Sequence, residues 1–98
     1  MSKNNNDKDL TNKVIDLVLS FNIKESEFHL ELLNIQVKRY QAEMRFLENT
    51  KPFFFQKKKL QEYQLQLEEC ENNLFETYKK INDEVELIHK MQESIGNE

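Results

Sequence analysis

The sequence predicts an all-α fold of two long helices, and three observations carry that prediction. One glycine and one proline in 98 residues leave almost none of the punctuation that hairpins and tight turns require. Charged residues make up 33% of the chain and hydrophobic residues 38%, the composition of long solvated helices. Apolar residues recur three and four positions apart over most of the length. So few apolar residues make a thin core, and the chain is expected to complete it on the surface of partner helices.

Residues 1–9 are polar and are expected to form a disordered tail. The first helix is expected over 10–49 and opens on Leu10, Val14, Leu17 and Phe21 at helical spacing. The stretch NIKESE (22–27) is a soft spot, and Ser26 could cap a restarted helix there. It contains neither proline nor glycine, so one continuous helix is the reading. Leu30, Leu33, Val37, Tyr40, Met44 and Leu47 then step by three and four, all apolar or aromatic, as a coiled-coil seam does. Phe28, Leu32, Ile35, Ala42 and Phe46 lie beside the seam, and so wide a stripe fits a helix touched by more than one neighbour.

A joint is expected at 50–52. Pro52 lacks an amide donor and holds Lys51 away from helical dihedrals, so the first helix should end near Asn49. The second helix is expected over 53–95. Its seam reads Phe53, Leu60, Tyr63, Leu67, Cys70, Leu74, Tyr78, Ile81, Val85, Ile88, Met91 and Ile95, with Gln56 as the one interruption. The steps from 70 to 74 to 78 form a stutter, which unwinds a supercoil locally. The helices, roughly 60 Å and 65 Å long at about 1.5 Å per residue, match well enough for a hairpin. The joint has no glycine to end a helix before a reversal, however, and this favours a kinked rod.

The net charge of −4 argues against nucleic acid as a partner, because phosphate neutralisation needs a cationic face. Cys70 is the single cysteine, which excludes an intrachain disulfide and fits a reducing, cytoplasmic setting. At a seam position it reads as a small buried hydrophobe. His29 and His89 stand apart from any set with ligand spacing, and no metal or cofactor is expected. No phosphate-binding glycine loop and no nucleophile–base arrangement is present, so the expected role is non-enzymatic. Neither a signal peptide nor a membrane span is read from the sequence.

The stretch KPFFFQKKK (51–59) raises a separate question. Phe54 and Phe55 turn away from the seam, and the expected role of Pro52, Phe54 and Phe55 is to pack the joint against partner helices. Lys57, Lys58 and Lys59 would stay solvated beside them. An anionic membrane is the less favoured occupant, so membrane association is expected to be peripheral at most.

Two features of the second half resemble a known family. Pro52-Phe53 opens the second helix, and Lys79-Lys80-Ile81-Asn82 places a basic pair, an aliphatic and an asparagine about thirty residues on. Over residues 52–82 the chain resembles the small coiled-coil subunits of the biogenesis of lysosome-related organelles complex, of the snapin-like, SNARE-associated kind. The resemblance implies a scaffold subunit that bundles with other helical proteins into a cytoplasmic hetero-oligomer at endosomal or lysosomal membranes. Its implied partners include SNARE or other membrane-trafficking proteins. From the residues alone, a homo-oligomeric coiled coil and a helical subunit of a cytoskeletal or nuclear assembly stay open.

Overall fold

The computed structural model describes residues 2–95, with side chains placed from Lys8 onward. It consists of two helices, α1 (Ser2–Asn49) and α2 (Lys57–Ser94), and no strand occurs among the described residues. The all-α, two-helix class stands. α1 runs without a break through NIKESE. It also includes residues 2–9, where a disordered tail is expected; residue 1 lies outside the described residues. No proline or glycine precedes Leu10, and extending a helix costs far less than nucleating one.

The connection differs from the expected three-residue joint. It covers Thr50–Gln56, and α2 begins at Lys57, four residues after the position read from the sequence. Thr50 ends α1 with its own side chain. Its Oγ1 donates to the Phe46 carbonyl at 2.8 Å, while its amide lies 3.1 Å from the same oxygen. These bonds satisfy a carbonyl that the end of a helix would otherwise leave unpaired. Pro52 then keeps the chain non-helical, and Phe53–Gln56 closes a turn of its own. The Gln56 amide donates to the Phe53 carbonyl at 2.9 Å, and the Phe53 amide donates back to Gln56 Oε1 at 3.2 Å. Gln56 also accepts the first bond of α2, from the Leu60 amide at 2.8 Å. It is the cap of α2, not an interruption within it.

The packing divides the chain into two units: Leu32–Asn82, and the stretches flanking it, up to Glu31 and from Asp83. In Leu32–Asn82 the helices pack antiparallel. The Cys70 thiol donates to the Tyr40 carbonyl at 3.3 Å, and Gln41 Nε2 donates to the Tyr78 hydroxyl at 3.3 Å. Leu33, Val37, Leu47 and Cys70 are buried there. These contacts are those of a hairpin, so the preference for a kinked rod is corrected. The missing glycine misleads because Thr50 and Gln56 do its work with side chains. In the flanking unit, Ile23 and Ser26 of α1 and Ile88 of α2 are buried, and His29 Nδ1 lies 3.3 Å from Glu84 Oε2.

Burial sorts neighbouring residues sharply, and this can be tested. Leu33 is 4% exposed and Ile35 61%, two residues apart on one helix. Leu33→Ala is expected to remove about 2–5 kcal/mol through lost transfer energy and a cavity. Ile35→Ala should stay within about 0.5 kcal/mol. Thermal melts of the two variants by circular dichroism measure the difference.

Candidate partner-binding faces

The inward positions of α1 follow one unbroken rhythm. Asn12, Asp16, Leu19, Ile23, Ser26, Leu30, Leu33, Val37, Tyr40, Met44 and Leu47 alternate steps of four and three, and every one is buried or half-buried. The part from Leu30 to Leu47 coincides with the seam read from the sequence. The part before it does not. Leu10, Val14, Leu17 and Phe21 all point outward and are exposed, while Asn12 and Asp16 face inward. Counting heptads back from Leu30 reaches Ser26, Ile23 and Leu19, so the signal was present but weaker than the outward apolar stripe.

α2 keeps the same rhythm. Leu60, Tyr63, Leu67, Cys70, Leu74, Thr77, Ile81, Glu84, Ile88 and Met91 are buried or half-buried at steps of four and three, and Gln56 before the helix and Ile95 after it keep the same register. The expected stutter is therefore absent. It arises from reading Tyr78 and Val85 as seam residues, whereas both lie exposed at the edge and the seam passes through Thr77 and Glu84. Thr77 tolerates burial because its Oγ1 donates to the Asn73 carbonyl at 2.7 Å, which satisfies the hydroxyl within its own helix. Glu84 reaches the His29 imidazole. Phe53, read as the first seam residue, lies in the connection and is exposed. Most of the residues expected to bind partners thus join the chain's own two helices.

What remains uncovered is a second seam on the other side of α1. In the flanking unit, Val14, Val18, Phe21 and Phe28 lie exposed, with Leu10, Ile15 and Leu17 beside them. In Leu32–Asn82, Leu32, Ile35, Ala42 and Phe46 lie exposed in the same register. Their spacing is again three and four, roughly 150° around the helix from the buried seam. Thr11, Glu25 and Arg39 fill the other positions of that register. All seven phenylalanines of the chain are exposed: Phe21, Phe28 and Phe46 here, Phe53, Phe54 and Phe55 in the connection, and Phe75 on α2. Leu65 and Leu87 of α2 are exposed as well.

Cys70 sits beside an open cleft of about 370 Å³ in Leu32–Asn82, lined also by Phe46, Leu47, Glu43 and Glu69. Burial raises its thiol pKa, and the neighbouring carboxylates of Glu43, Glu71 and Glu69 raise it further. The thiol therefore stays protonated at neutral pH and donates to Tyr40. No group of three side chains suited to a metal ion occurs among the described residues. No described helix is long and apolar enough to cross a membrane. The comparisons with protein-family models, curated proteins and solved structures find no match to this chain.

The Cys70 setting has a measurable consequence. Alkylation of the native chain by iodoacetamide at neutral pH should run far below the rate for the urea-unfolded chain, since the thiolate is the nucleophile. Equal rates in the two states would mean that Cys70 is neither covered nor held protonated.

Proposed function

We propose that the chain is a non-enzymatic scaffold subunit whose internal pairing presents the outer seam of α1 to helices of other proteins. The observation that carries this reading is the exposed second heptad register, made of large apolar side chains and including Phe21, Phe28 and Phe46. A solvated helix face has no need of phenylalanines at heptad spacing, and a helix packed on that face does. Unlike neighbours are favoured over a parallel self-pair. In such a pair Glu25 would meet Glu25 and Arg39 would meet Arg39 within the seam, and like charges at these positions repel. The resemblance of residues 52–82 supports, as the type of assembly, a cytoplasmic hetero-oligomer of the lysosome-related-organelle kind, with membrane-trafficking proteins among its partners.

One observation favours a second reading, an antiparallel homo-oligomer. Glu25 and Arg39 stand seven residues to either side of Leu32. A two-fold axis near Leu32 would set each Glu25 close to the Arg39 of the other copy.

Phe21→Glu with Phe28→Glu tests both readings, because neither ring contributes to the buried seam. The variant should keep the wild-type melt and lose its helical partners in quantitative affinity capture, at roughly 2 kcal/mol per ring, or roughly thirty-fold each in affinity. Sedimentation of the full chain alone separates the readings. A monomer that gains mass only with partners supports the scaffold subunit. A dimer abolished by the same double substitution supports the self-pair.

A further inference from the structure

The connection between the helices carries an arrangement that neither the buried seam nor the outer seam explains. Phe53, Phe54 and Phe55 are 67%, 85% and 66% exposed. Their rings pack on one another. Phe53 and Phe55 stack with centroids 5.5 Å apart, and Phe54 meets Phe55 edge-on at 5.7 Å. The chain's own helices leave all three rings uncovered, and packing of Phe54 and Phe55 against partner helices stays an expectation. The backbone holding the rings is fixed by Pro52 and by the two bonds between Phe53 and Gln56. The loop is thus ordered in advance, which lowers the entropic cost of any encounter.

The charges around the rings are equally specific. Between residues 48 and 62 stand four lysines and two glutamates, in a chain of net charge −4. Lys51 flanks the rings on one side, and Lys57, Lys58 and Lys59 form the first turn of α2 on the other, all exposed. A helix N-terminus carries partial positive charge and favours anions, so three lysines there oppose the stability of α2. A local rule broken without gain to the fold points to function at that place.

We propose that this loop inserts the Phe53–Phe55 cluster into the interface of an anionic lipid bilayer, with Lys51 and Lys57–Lys59 at the headgroups. Aromatic rings settle at the boundary between headgroups and acyl chains, and adjacent lysines are drawn to the negative surface potential. The shortness of the apolar stretch weighs against a membrane-bound amphipathic helix. It does not weigh against a loop, which presents its rings at one point. The proposal is independent of the helical-partner reading, since the outer seam of α1 uses other residues.

Flotation of the full chain with phosphatidylcholine vesicles, with and without phosphatidylserine, is the test. The chain should float with the phosphatidylserine vesicles at low salt and progressively less as salt rises. Phe54→Ser with Phe55→Ser should lower partitioning at least about ten-fold. Replacing Lys57, Lys58 and Lys59 by glutamine should remove the preference for phosphatidylserine. Neither variant should melt below the wild type: the altered side chains are exposed, and glutamine in the first turn of α2 removes charges unfavourable to the helix. The chain has no tryptophan, so Phe54→Trp supplies a single fluorophore, whose emission should shift to the blue on anionic vesicles. Absence of flotation at low salt overturns the proposal. So does flotation that is unchanged by the phenylalanine substitutions, and so does shielding of the rings by a protein partner while vesicles capture nothing.

Discussion

Two paired helices can cover only the stripe that each turns towards the other, and this geometric limit governs the whole chain. α1 carries apolar side chains on two sides, and α2 answers one of them. The side it answers is the poorer in phenylalanine, and its buried apolar residues are Ile23, Leu33, Val37 and Leu47. The phenylalanines stand elsewhere. The pairing therefore acts as a support: it covers the inner seam of α1 while leaving the bulkier apolar face free.

Polar groups on the inner seam accept that limit by finding partners nearby. Thr77 bonds within its own helix, Cys70 donates across to Tyr40, and Glu84 meets His29. Among the described residues no buried side-chain nitrogen or oxygen is left without a partner. A narrow seam with satisfied polar members tolerates burial of groups that a deeper core would exclude, since each desolvated atom keeps a hydrogen bond.

The class of the fold, the end of α1 at Asn49 and the seam from Leu30 to Leu47 were legible in the sequence. There the apolar residues are unanimous and Pro52 has a single meaning. Legibility failed where apolarity and position part company. Phe21 and Leu17 outrank Asn12 and Asp16 in hydrophobicity, yet the heptad rhythm turns the polar pair inward. Tyr78 outranks Thr77 in the same way, and the false stutter follows. The reversal was hidden because a threonine hydroxyl and a glutamine amide perform what glycine usually does. The outer face was half-visible: its width was read from Phe28, Leu32, Ile35, Ala42 and Phe46, but its extension to Val14 was not.

The side-chain-locked turn also has a kinetic meaning. Contacts nearest to it close the shortest stretches of chain. Cys70 and Tyr40 are 30 residues apart, and His29 and Glu84 are 55 residues apart in sequence. Forming the longer loop directly costs only about 0.5 kcal/mol more in closure entropy, by the logarithmic dependence on length. Once the shorter one exists, each further heptad layer adds almost no loop at all. Folding can then proceed as a zipper from Thr50 and Gln56 outward. Contact order rises only as pairing advances.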